Sequence, residues 1–93
     1  MPTDTATLAE VETAVHDITA GALGLSAVGR HDNLLELGVD SLVATRIVAA
    51  LRTRYGVEIP LILLFEHPEI AEFAESVHDL VLELDLAQSG TED

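Results

Sequence analysis

Cysteine occurs nowhere in the 93 residues, so disulfides, thiolate metal sites and cysteine nucleophiles are excluded, and nothing in the chain requires an oxidising compartment. Tryptophan is absent too, and one tyrosine and two phenylalanines bring aromatics to only 3%. Any core therefore has to be assembled from leucine, valine, isoleucine and alanine, which a hydrophobic content of 48% supplies. Lysine is missing as well. The four bases are Arg30, Arg46, Arg52 and Arg54, set against 17 acids, for a formal net charge of −13. Such a surface repels phosphate backbones and argues against nucleic-acid binding, while it draws in partners with basic patches. Long hydrophobic runs are also lacking. The longest, "IPLILLF" at Ile59 to Phe65, has seven residues, against about 20 needed to cross a bilayer. The opening "MPTDTATLAEVE" has no basic stretch followed by an apolar run, so it does not read as a signal peptide. The expectation is one small, soluble, cytoplasmic domain without a membrane partner.

What is present is helical periodicity. "TLAE" reads as a capping box, with Thr7 at the cap and Glu10 three residues later. Leu8, Val11, Val15, Ile18 and Ala22 follow at helical spacing, and Gly24 is the natural end. Residues 24–40, "GLSAVGRHDNLLELGVD", keep no period and are rich in turn residues, so they read as a long loop pinned to the core by Leu25, Leu34, Leu35 and Leu37. A second helix begins at or just before Ser41, buries Val43, Ala44, Ile47, Val48 and Leu51, and stops at Gly56. It holds three of the four arginines. Pro60 opens a short helix over Leu61 to Phe65. After Pro68 a last helix buries Ile70, Phe73, Ala74, Val77, Val81 and Leu84. Its outer side carries an acidic row, Glu66 to Asp85, read as a solvated face. "LVLELDL" at 80–86 alternates like a strand, but with no second strand to pair with it reads as more helix. The predicted fold is all-α: three longer helices and one short one in a four-helix bundle, with the long loop between helices one and two. The expected organisation is a flexible stretch at 1–6, one domain at 7–86 and a flexible tail at 87–93.

Ser41 is the one candidate for chemistry. A serine after Asp40 at a helix start is most simply a cap. A self-activated nucleophile needs more: "GVDSLV" lacks the second glycine of a hydrolase elbow, and no histidine–acid pair stands at a usable spacing. If this hydroxyl reacts, another enzyme supplies the base and the electrophile, which makes Ser41 a modification site and the protein no enzyme. The unpaired N–H groups of a helix start tolerate a phosphate there.

Residues 32–74, "DNLLELGVDSLVATRIVAALRTRYGVEIPLILLFEHPEIAEFA", resemble the phosphopantetheine-dependent carrier proteins, most of all the peptidyl (thiolation) carriers of nonribosomal peptide synthesis. Asp32, Glu36, Leu37, Gly38, Ser41 and Leu42 meet the family's D-x-x-x-E-L-G-x-x-S-L pattern, and "ATR", "YGVEIPL" and "LFEHPEI" follow in the family's order. The resemblance implies that Ser41 carries 4′-phosphopantetheine, transferred from coenzyme A by a phosphopantetheinyl transferase, and that the cofactor's thiol holds an aminoacyl or peptidyl thioester. It implies that Asp40, Leu42 and the exposed face of the second helix, Arg46 included, meet partner enzymes. Those are the transferase, an adenylation or acyl-loading enzyme, and condensation, tailoring or thioesterase enzymes. Leu64, Phe65 and Ile70 are implied as core or partner-facing. One departure blurs the cargo: Val39 and Asp40 give G-V-D-S where integrated peptidyl carriers often read G-G-H-S. The aspartate is usual in acyl carriers of polyketide and fatty-acid pathways, which is the alternative reading. An unmodified helical adaptor is the alternative of another class. The length fits either a free-standing carrier or an excised domain, and both ends read as native tails, which favours the free-standing one.

Other constellations fail. Asp32, Asn33, Glu36 and Asp40 lack the order of a calcium loop, and His16, His31, His67 and His78 show no metal-ligand pairing.

Overall fold

The computed structural model describes residues 6–90. Four helices follow in order: α1 (Leu8–Leu23), α2 (Ser41–Tyr55), α3 (Leu61–Glu66) and α4 (Ile70–Gly90). There is no strand among the described residues, only an isolated bridge between Asn33 and Glu69. The alternating leucines at 80–86 are helical.

Local chemistry sets each boundary. The Thr7 hydroxyl accepts the Glu10 N–H while the Glu10 carboxylate accepts the Thr7 N–H, so the capping box is closed on both sides. α1 and α2 each end on a left-handed glycine, Gly24 at φ 72° and Gly56 at φ 69°. A side chain at either φ would meet its own backbone, which is why glycine ends both helices. Pro60 lies one residue outside α3 with φ −64° and ψ 135°, at the cap rather than in the first turn. α4 runs to Gly90, so residues 87–90, expected as tail, are helical. Residues 1–5 and 91–93 of the expected flexible ends lie outside the described residues.

The core is aliphatic around a single ring. Phe73, Leu34, Ile47, Leu51, Leu64 and Ile70 are fully buried, and Val11, Val15 and Val77 fill in between. Each such leucine, isoleucine or phenylalanine is worth about 1.5–3 kcal/mol of transfer free energy. α1 packs against α4 and α2, and α3 touches both α2 and α4.

The loop at 24–40 is held mostly by its backbone. The carbonyls of Asp32 and Arg30 accept the N–H groups of Ile70 and Ala71 at 3.0 and 2.8 Å, capping the start of α4. In return Leu34 N–H donates to the Pro68 carbonyl at 2.7 Å, and Val39 N–H donates to the Leu34 carbonyl at 3.1 Å. Asp32 and Asn33, which superficially suggest a cation loop, close turns instead: Asp32 Oδ2 accepts Gly29 N–H and Asn33 Oδ1 accepts Glu36 N–H. Two side-chain pairs add to this. Arg30 Nε donates to Glu12 Oε2 at 2.7 Å, tying the loop to α1, and His31 faces Glu69 at 3.2 Å, just ahead of α4. The hydrogen bond and charge of Glu12 raise the Arg30 guanidinium above its ordinary pKa, with lesser help from Glu69 and Glu75. Of the four leucines expected to pin the loop, Leu34 is buried and Leu37 packs on the core, whereas Leu25 and Leu35 stand exposed. With the backbone bonds fixing the loop's path, those two are not needed inside.

Candidate functional site

Asp40 and Ser41 are both good capping residues, and the backbone decides between them. Asp40 is extended (φ −101°, ψ −172°) and is the N-cap of α2, its Oδ1 accepting the Val43 N–H at 2.9 Å. Ser41 is already the first helical residue. The hydroxyl is therefore released from capping. It is exposed, and no hydrogen bond within the described residues engages it. Only one carboxylate oxygen of Asp40 is used by the cap, and this side chain is exposed as well.

The serine's position is nevertheless rigid. Three residues on from Ser41, Ala44 is fully buried, and Ile47, Val48 and Leu51 continue that face into the core. On the other side Val39 is buried and bonded to Leu34, which is bonded to Pro68. A solvent-facing hydroxyl thus sits between two buried anchors. Gly38 precedes it at φ 108°, a conformation open to glycine and costly for other residues, and a Cβ there would meet open space. The glycine is needed for the turn itself, not for room.

Around Ser41 the other expected contact residues divide. Leu42 is 61% exposed, and Arg46 is exposed one turn further along α2. Phe65 is half-buried. Leu64, expected as core or partner-facing, is 0% exposed and belongs to the core, as does Ile70. The apolar surface of α3 is instead made by Leu61 and Ile62, the latter 58% exposed. Sequence reasoning missed these two because "LILLF" is apolar at every position, so no period marks its outer face. The histidines do not converge, and no group of three or more potential metal ligands exists among the described residues.

An exposed helix-start hydroxyl with its capping duty carried by a neighbour fits a covalently attached phosphodiester arm. The N–H of Val43 goes to Asp40 Oδ1 and that of Ala44 to the Asp40 carbonyl, while the N–H groups of Ser41 and Leu42 have no acceptor among the described residues. Residues 13–77 match the family described as "PP-binding: Phosphopantetheine attachment site", and the chain belongs to that family of carrier domains, whose cofactor is 4′-phosphopantetheine. Domains of this family carry the cofactor and are not catalysts, and the curated relatives that this chain matches are largely peptide synthases and synthetases. It is 43% identical over 68 residues, 73% of its length, to a linear gramicidin synthase component of Brevibacillus parabrevis, and that match spans 1% of the synthase polypeptide. Among solved structures it is similar to the complex of the phosphopantetheine transferase Sfp with coenzyme A and a peptidyl carrier protein. There the TM-score is 0.68 and the identity 34%, over 82% of this chain and 92% of that one. It is also similar to the non-covalent extended docking domain complex of the Pax synthetase, PaxA T1-CDD/PaxB NDD. That match has a TM-score of 0.75 and 27% identity, over 99% of this chain and 91% of that one.

Among the described residues no helix is long and apolar enough to cross a membrane.

Proposed function

We propose that Ser41 is the attachment residue and that the domain passes aminoacyl or peptidyl groups between separate active sites. The observation that carries this is the division of labour at the start of α2: Asp40 caps, so the Ser41 hydroxyl is exposed and unengaged. In the loading step the Ser41 Oγ attacks the phosphorus of coenzyme A that bears the pantetheine. The Oγ–P bond forms, the bond from that phosphorus to the bridging oxygen breaks, and adenosine 3′,5′-bisphosphate leaves. A base on the transferase takes the hydroxyl proton, since no carboxylate or imidazole among the described residues is hydrogen-bonded to the Ser41 hydroxyl. Once attached, 4′-phosphopantetheine supplies a flexible arm whose thiol holds the cargo as a thioester.

The transferase, an adenylation enzyme and later condensation, tailoring or thioesterase partners are all read here as visitors to the Ser41 end. Leu42 and Ile62 offer them apolar contact, and Arg46 and the unused Asp40 oxygen offer charge. Phe65, half-buried, packs on the core and holds α3 in place beside them. The similarity to the carrier in the Sfp complex supports the transferase as the first of them.

Intact mass after incubation with coenzyme A and a broad-specificity phosphopantetheinyl transferase tests the assignment. The expected result is one phosphopantetheinyl group added to the wild type and none to Ser41→Ala. An unchanged wild-type mass, or an equal gain in the alanine variant, would overturn it.

A further inference from the structure

α4 is longer than the bundle it packs in. Its 21 residues rise about 32 Å, against about 24 Å for the 16 residues of α1. The molecule is correspondingly elongated, 46 × 22 × 19 Å. Among the described side chains the last fully buried one of α4 is Val81, and Leu84 one turn on still packs partly against the core, while the opposite side of the helix is uncovered. The overhang is nevertheless not polar. Leu82 and Leu86 lie four residues apart on one face, 36% and 67% exposed. Their nearest helical neighbours at three residues' distance are carboxylates: Asp79 and Asp85 flank Leu82, and Glu83 flanks Leu86. No lysine or arginine follows Arg54 anywhere in the sequence.

We propose that this overhanging end of α4 is a docking surface for a segment of another protein that presents an apolar stripe bordered by lysine or arginine. Two exposed leucines one turn apart are a poor ending for a helix meant only to be solvated, and they gain from being covered. The carboxylate border selects the occupant. A second copy of this face brings further acids against these three with no lysine or arginine to meet them and only His78 nearby, which disfavours self-pairing. A basic partner meets complementary charge and is steered in by the −13 field. The surface is also remote from the loading end. The bonds from Val39 to Leu34 and from Leu34 to Pro68 tie the starts of α2 and α4 together, and Leu86 lies about 24 Å along α4 from Ile70. A partner can therefore hold the carrier by α4 while Ser41 stays open to a different visitor. The proposal goes beyond the Ser41 assignment and does not depend on it.

The test titrates the ¹⁵N-labelled full chain with a synthetic helical peptide of leucines on one face and lysines beside them, and with its glutamate counterpart. Chemical-shift changes are expected at residues 78–87, for the lysine peptide alone, weakening as salt is added. Leu82→Gln with Leu86→Gln is expected to weaken binding by at least about tenfold, while Leu42→Gln with Ile62→Gln leaves it unchanged. Four results overturn the proposal: shifts centred on the Ser41 end, unchanged affinity in the Leu82/Leu86 variant, equal binding of the glutamate peptide, or concentration-dependent shifts at these leucines without any peptide. Loading of the Leu82/Leu86 variant with coenzyme A and transferase is read in parallel and is expected at the wild-type rate. A wild type that fails to load counts against Ser41 alone and leaves the titration standing.

Discussion

At the scale of single residues, capping and reactivity are separated by one position. Asp40 stabilises α2 and Ser41 does not, so the two are expected to respond differently to truncation. Asp40→Ala should cost about 1 kcal/mol by leaving the Val43 N–H without its acceptor. Asp40→Asn should be close to neutral, because an asparagine oxygen caps as well. Ser41→Ala should leave thermal stability essentially unchanged while abolishing loading. Thermal unfolding of the three variants checks this, and a loss in Ser41→Ala as large as in Asp40→Ala would mean that the serine is the cap after all. The loading of Asp40→Asn then isolates the carboxylate's charge from its capping, since only the first is removed. The sequence placed Ser41 at the helix start and read it most simply as the cap, a role that the structure gives to Asp40 instead. Aspartate and serine rank alike at that position, and only the extended backbone of Asp40 separates them.

At the scale of elements, the boundaries that rest on side-chain chemistry were legible and those that rest on backbone were not. The Thr7–Glu10 box and the stops at Gly24 and Gly56 are written in residue types, and the structure has all three. The cap of α4 is made by carbonyls of Arg30 and Asp32, which any residue possesses, so no letter announces it. The outer face of α3 was hidden for a related reason, uniform apolarity. The extent of α4 past residue 86 was missed because "QSG" is turn-like in isolation, yet it continues a helix already nucleated and packed upstream. Glycine offers a sharp check on this reading. Gly21 lies inside α1 at an ordinary helical φ with open space where a Cβ would go, whereas Gly56 has the same open space but φ 69°. Gly21→Ala is expected to stabilise by about 0.5–1 kcal/mol and Gly56→Ala to destabilise by about 1–2 kcal/mol. Chemical denaturation midpoints with unchanged slope would show both, and a shift of the same sign in the two variants would refute the conformational account.

At the scale of the whole molecule, the charge imbalance sets how the fold responds to salt. Two opposing effects compete. Added salt weakens the few ion pairs, Arg30 with Glu12 at 2.7 Å and Arg52 with Glu58 at 3.2 Å. Exposed pairs of this kind contribute roughly 0–1 kcal/mol each. Salt also screens the mutual repulsion of 17 acids offset by only four bases. At about 0.01 M ionic strength the screening length is roughly 30 Å, longer than the 22 Å and 19 Å widths of the molecule, so acids on opposite sides repel one another. At about 0.15 M it falls to roughly 8 Å and only neighbours still interact. Thirteen uncompensated charges outweigh two surface pairs, so the unfolding temperature should rise with sodium chloride, most steeply below about 0.15 M. What persists above that is local: Glu72, Glu75, Asp79 and Glu83 stand three or four residues apart along α4, and like pairs at that spacing cost about 0.2–0.5 kcal/mol each. Asp79→Lys turns two of those contacts from repulsive to attractive and should raise stability by about 0.8–2 kcal/mol while reducing the salt dependence. Because Asp79 also borders Leu82, the same change should weaken binding of the lysine peptide. Stability and docking would then move in opposite directions, which no general loss of folding can imitate. A melting temperature that falls with salt would show instead that the ion pairs of the loop outweigh the repulsion, and that the acidic face of α4 is neutral to the fold.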